Sequence, residues 1–217
     1  ANRETMVSHL RTNGELLQYA NQTLRLDEDV VRTCMANNPF SFEYADTALL
    51  RNDEFDLEAC RMEPALFLYA HSSLKENEQF VRRLISDNIP EGSWKIFQFA
   101  SDMFRNNKTF VQEMMHHEPL LFQFAVPELR QSFPVCRDAV QQNGLLLQFV
   151  IMNSWDEDTI KMIVRAAIVQ NVDAFQFVPL HLRQRTLFVQ HFVRQNGLVM
   201  KHAISDSWSE REKINTT

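Results

Sequence analysis

Apolar residues in this chain fall in pairs one helical turn apart, and the pairing returns at a near-constant interval. Val30, Val31, Cys34 and Met35 form one set; Phe80, Val81, Leu84 and Ile85 a second; Phe110, Val111, Met114 and Met115 a third. Val135, Cys136, Ala139 and Val140, then Phe188, Val189, Phe192 and Val193, repeat the arrangement. Positions i, i+1, i+4 and i+5 share one stripe of an α-helix, so each set predicts an amphipathic helix with a single buried face. A strand would alternate with period two instead.

A second pattern precedes each stripe. Leu-Leu-Gln-Tyr-Ala, Ser-Phe-Glu-Tyr-Ala, Leu-Phe-Leu-Tyr-Ala, Ile-Phe-Gln-Phe-Ala, Leu-Phe-Gln-Phe-Ala, Leu-Leu-Gln-Phe-Val, Ala-Phe-Gln-Phe-Val and Val-Met-Lys-His-Ala align on Tyr19, Tyr44, Tyr69, Phe99, Phe124, Phe149, Phe177 and His202. The spacings between these anchors are 25, 25, 30, 25, 25, 28 and 25. Insertions near Asp87 to Trp94 and near Ile163 to Gln170 account for the two longer ones. Asp27, Asn52, Asn77, Asn107 and Ser132 stand eight residues after an anchor, where a side-chain oxygen can accept from the orphan N–H groups that open a helix. Gly14, Gly144 and Gly197 follow an asparagine five residues before an anchor, as expected of a helix ending in a left-handed residue. Pro39, Pro64 and Pro119 occupy the same slot, where a first helical turn tolerates a missing N–H.

Each repeat therefore reads as a short helix carrying the anchor, a bend at Leu24, Leu49, Leu74, Phe104, Leu129 or Leu182, and a capped amphipathic helix. So small a unit cannot bury its own apolar face, and neighbours must stack. The predicted fold is all-α, an α-solenoid of about eight helix-turn-helix repeats of roughly 25 residues forming one domain over residues 1–217. Both ends fall inside a repeat, so the chain is expected to be a fragment of a longer protein, with the polar tail from Ser205 to Thr217 as a cap.

Composition narrows the setting. An apolar content of 45% supports a folded core, and the longest apolar run, Leu145 to Met152, is too short to span a bilayer. A formal net charge of -6 argues against nucleic acid, whose binding depends on basic residues displacing counterions. Three cysteines with no CxxC pair argue against a disulfide framework and for a reducing, cytoplasmic compartment.

The tandem units, reading aromatic-Ala, then Leu-Arg, then Asp or Asn opening a helix that ends near Asn-Gly, resemble all-helical repeats known as a domain of unknown function, two helical-hairpin units in about fifty residues. The resemblance implies the fold, and it implies a context: such arrays occur in secreted effectors of intracellular bacteria, which work in the host cytosol, and in some protist proteins. It brings no catalytic residue and no cofactor.

The repeat supplies its own control, because positions that recur are needed for stacking and exceptions are candidates for function. Cys34, Cys60 and Cys136 hold stripe positions and read as small core hydrophobes. His116, His117 and Glu118 lack metal-ligand spacing and read as a charge interaction at a helix end. Asp156, Glu157 and Asp158 lack the glycine and closing glutamate of a calcium loop and favour a helix start. Gln18, Gln98, Gln123, Gln148 and Gln176 precede the anchors and predict a row hydrogen-bonded to the neighbouring turn, or a polar binding row. Arg25, Lys75, Arg105, Arg130 and Arg183 follow the bend, where a cation suits helix C-terminal carbonyls or, alternatively, an anionic partner. Trp155 and Trp208 replace that cation, and Trp94 stands beside an insertion; they read as core filling or as interface anchors.

No phosphate loop, Cys-His pair or supported carboxylate pair is present, so an enzyme is not expected. The expected function is a non-catalytic protein-protein interaction scaffold without metal or cofactor. Trp94, Trp155, Trp208, Gln98, Gln123, Gln148, Arg105 and Arg130 form its candidate surface. The alternative is a regulatory or substrate-recruiting domain of a larger enzyme.

Overall fold

The computed structural model describes residues 3–86 and 92–203. Every described element is helical, with no strand among the described residues, and none of the helices is long and apolar enough to cross a membrane. The chain divides into two compact units, Ala1–Arg105 and Asn106–Thr217, with the boundary inside the fourth repeat.

Within each unit the same succession recurs. A six-residue 3-10 helix carries the anchor, as in Gly14–Tyr19, Pro39–Tyr44 and Pro64–Tyr69 of the first unit and Pro119–Phe124, Gly144–Phe149 and Val172–Phe177 of the second. A single-turn bend follows in most repeats, then the stripe helix: Glu28–Asn37, Asp53–Met62 and Glu78–Ser86, and later Phe133–Gln142, Glu157–Gln170 and Thr186–Val193. In the fourth repeat the anchor segment Ser93–Phe99 is α-helical instead, following Gly92 at φ 124°.

The 3-10 geometry decides which residues are buried. With three residues per turn, positions three apart eclipse, so the residue two before the anchor lies on the face of the Gly or Pro slot rather than on the anchor's face. Phe42, Phe67, Phe122 and Phe175 at that place are fully buried, as is Leu17, while Tyr44, Tyr69, Phe124 and Phe177 are only half-buried. The buried phenylalanine meets the first phenylalanine of its own stripe helix in the second, third and seventh repeats, among others: Phe42 with Phe55 at 5.9 Å, Phe67 with Phe80 at 6.3 Å and Phe175 with Phe188 at 6.5 Å between ring centroids. Such tilted aromatic pairs add stability beyond the area they bury.

Neighbouring repeats are joined by a recurring backbone bond. Asp46 N–H donates to Arg25 C=O at 2.9 Å, His71 to Leu50 at 2.9 Å and Ser101 to Lys75 at 3.2 Å in the first unit, and Ile151 to Arg130 at 2.9 Å in the second. The donor always lies two residues past an anchor and the acceptor six past the preceding one. Side chains reinforce these joins, among them Arg32 to Glu58 at 2.9 Å, Lys95 to Glu63 at 3.0 Å and Arg165 to Gln195 at 3.0 Å. Such exposed pairs contribute little individually; apolar burial supplies most of the stacking.

The glycine slot differs from the sequence expectation. Gly92 is the only glycine with positive φ among the described residues, so Gly14, Gly144 and Gly197 do not end helices in the left-handed region. They open 3-10 helices after an extended asparagine whose side chain accepts from the N–H two residues on. Glycine is required at Gly14 and Gly144 by close approach: a Cβ there would stand 2.5 Å from Cys34 O and 2.4 Å from Ala167 O. Both N–H groups also donate to the end of the stripe helix in their own repeat, Gly14 to Asn37 Oδ1 at 3.2 Å and Gly144 to Gln170 Oε1 at 2.6 Å.

Helix caps follow the sequence at Asp27, Asn52, Asn77 and Asn107, each of which accepts from a backbone N–H three residues on. Ser132 makes no such bond. Asn107→Ala is expected to lower stability by about 1 kcal/mol and Ser132→Ala by under about 0.5 kcal/mol, read from urea unfolding.

Candidate interaction surface

The anchor helices expose one face. Positions one and four before the anchor share it, and Gln18, Gln98, Gln148 and Gln176 are exposed there, with Gln123 half-buried. The glutamines do not reach a neighbouring repeat. Gln18 donates to Glu15 C=O, Gln123 to Leu120 C=O and Gln148 to Leu145 C=O, each at 3.1 Å and three residues back within its own 3-10 helix.

In the first unit the surface is rich in aromatic and acidic groups. Tyr19 is 73% exposed and lines an open hollow of about 320 Å³ with Arg3, Met6, Asn21, Thr23 and Leu24. Glu43 replaces the usual glutamine; the hydroxyls of Tyr44 and then Tyr69 hold its carboxyl below the usual range. Phe40 and Leu68 add exposed apolar area. In the second unit Asp173 occupies the face and is held low, first by Lys201 and then by His202, whose Nε2 stands 3.0 Å away in the anchor slot.

The basic residues after the bends are tied to backbone. Arg25 Nε donates to Tyr44 C=O at 2.6 Å, and Arg183 donates to Val178 C=O at 2.9 Å and to His202 C=O at 3.3 Å. Tyr44 and His202 are the anchors of the following repeats, so these cations join one repeat to the last carbonyls of the next. Lys75 donates to Leu68 C=O at 2.6 Å. Arg105 pairs with Asp102, and the Nε atoms of Arg105 and Arg130 are buried without a hydrogen-bond partner.

Trp155, in the basic slot of the sixth repeat, is half-buried. Its indole N–H donates to Gln131 C=O at 3.1 Å and its ring meets Phe133 edge-on at 5.8 Å, so it also closes a backbone carbonyl. Trp94 is half-buried, with the Lys95 ammonium 6.0 Å from its ring centre. Trp208 lies outside the described residues. The structure therefore brings Gln18 and Tyr19 together at one end of the first unit, whereas Trp155, Arg25 and Arg183 serve the joins between repeats.

His116 and His117 are exposed at the end of the Lys108–Met115 helix, and the His116 ring lies 2.7 Å from Gln112 C=O. Asp156 caps the Glu157–Gln170 helix by accepting from Thr159 N–H at 2.7 Å. All three cysteines are buried and burial raises their thiols, Cys34 to about 11 and Cys136 to about 12. Sequence reasoning passed over Asp56. Its signal was the stripe register, in which it stands where other repeats carry Val31, Val81, Val111 or Val189.

The geometry defines a helical surface of short anchor helices with a polar and aromatic outer face. A family model described as a domain of unknown function, DUF4116, matches residues 2–50, which hold the first two anchor helices and the stripe helix between them. No curated protein and no solved structure matches the chain.

Proposed function

We propose that the chain is a non-catalytic protein-interaction scaffold, an α-solenoid of about eight stacked repeats that meets a protein partner along the outer face of its anchor helices. One observation carries the reading: in the second to seventh repeats the residues two and three before the anchor are buried, while those one and four before it reach the surface in recurring order, with glutamine predominating next to the anchor. A recurring outer face of adaptable amides beside aromatic rings suits a protein surface better than a small molecule, because affinity there comes from many modest contacts around a few aromatic anchors. Likeness to repeats of secreted bacterial effectors extends the proposal to a protein working in the host cytoplasm.

Proximity labelling in the native cell tests it with the full-length protein and two variants. Tyr19→Ala combined with Gln98→Glu and Gln148→Glu is expected to reduce labelling of a specific partner at least tenfold. Val169→Ser, at an 82% exposed position on a stripe helix, leaves that labelling unchanged. Equal labelling by wild type and the triple variant, or no partner above background, contradicts the proposal.

A further inference from the structure

The Asp53–Met62 helix carries one charged residue on its buried stripe. Asp56 stands four residues after the cap Asn52, in the slot held elsewhere by Val31, Val81, Val111, Cys136 and Val189. Its relative accessible surface is 0%, and neither carboxylate oxygen has a hydrogen-bond partner. A carboxylate in such a place is strongly disfavoured, and the neutral acid is the form that apolar packing accepts.

The fifth repeat shows what the slot faces. Its bend, Leu129–Gln131, is a three-residue 3-10 turn like Leu49–Arg51, and these two are alone in that form among the described bends. There Cys136 donates its S–H to Arg130 C=O at 3.2 Å. In the fifth repeat the slot thus presents carbonyl oxygens, a surrounding that repels a carboxylate and can accept from a neutral carboxyl O–H.

The other charges around this helix are turned elsewhere. Arg83 pairs with Glu54 at 2.8 Å, Arg82 with Glu78 at 2.8 Å and Glu58 with Arg32, all on the solvent side. Asp53, Arg51 and Arg61 are exposed, and Glu43 is engaged with Tyr44 and Tyr69. Burial pushes the Asp56 carboxyl up to about 8, and Lys75, from the next repeat, pulls it the other way. Burial lowers Lys75 in turn and raises Cys60 one turn along, to which Asp56 adds.

We propose that Asp56 is a pH-sensitive switch in the first unit: it packs as the neutral acid and, on giving its proton to water or hydroxide, loosens the Asp53–Met62 helix from the Pro64–Tyr69 and Glu78–Ser86 helices it packs against. The folded form holds a proton that the unfolded chain releases near the ordinary carboxyl value of 3.8. Stability from this group is therefore full below that value and is lost as pH rises toward about 8. Glu54 and Glu63, held low by Arg83 and by the Ala65 N–H respectively, act in the opposite sense and only in acid.

Urea unfolding of the full chain and of Asp56→Val between about pH 5 and pH 9 tests the switch. Up to about pH 8 the wild-type folding constant is expected to fall against that of the variant by up to about tenfold per pH unit, leaving Asp56→Val the more stable form at pH 9. A ratio that does not change with pH overturns the proposal. The Asp56 carboxyl carbon, followed by NMR in the unsubstituted chain, is expected to titrate near pH 8, and a midpoint near pH 4 overturns the proposal whether or not the variant folds.

Discussion

Phe122→Ala is expected to lower the stability of the second unit by about 3 to 5 kcal/mol, whereas Phe124→Ala two residues on costs less than half as much. Phe122 has no exposed surface, so its removal forfeits the transfer energy of a whole ring and leaves a cavity that the close-packed core cannot fill without moving backbone. Phe124 is half-buried, and water can occupy part of the space it vacates. Urea unfolding of the two variants side by side checks the order. Equal losses would place the anchor, not the residue two before it, at the centre of each repeat.

Gly144→Ala is expected to cost about 1 to 3 kcal/mol, while Gly197→Ala at the same repeat position is neutral or stabilising by about 0.5 kcal/mol. The contrast follows from what a Cβ meets. At Gly144 it would press on Ala167 O at 2.4 Å and Gln170 Oε1 at 3.0 Å, both belonging to the following stripe helix, and would push apart the bond from Gly144 N–H to Gln170. At Gly197 nothing among the described residues lies within 4 Å. Neither glycine has positive φ, so a backbone-freedom account predicts no difference between them. Thermal unfolding of the two variants separates a requirement for close approach from one for a left-handed residue.

Much of the fold was legible because the stripe pairs have the period of an α-helix and recur with the anchors. Phe80, Val81, Leu84 and Ile85 could share a buried face in no other regular structure, and they do. What escaped was the form of the anchor segments. Six residues hold two 3-10 turns or fewer than two α turns, and a window that short carries no clear period, so the most regular aromatic marks the repeat in the sequence although Phe42, Phe67 and Phe122 lie deeper. The glycines misled for a related reason: Asn-Gly has the composition of a left-handed helix end, yet close contact with the next helix, a feature of tertiary packing, explains Gly14 and Gly144. The surface was legible in part. The recurring glutamines do face outward, but which carbonyl each reaches depends on the geometry of the turn beneath it. Asp56 was legible in register and was hidden by its context, a helix opening with the acidic run Asp53, Glu54 and Asp56, which reads as dipole complementarity until burial separates Asp56 from the other two.

The central claim is that each repeat is held by the next in chain order, and amide hydrogen exchange measured by NMR addresses it most directly. Asp46, His71, Ser101 and Ile151 lie outside regular helical hydrogen bonding, and their N–H groups are bonded only across to the preceding repeat. The account predicts that these four amides exchange as slowly as those within the stripe helices of their own unit. Exchange at the rate of open loops, with the stripe helices still protected, would contradict it.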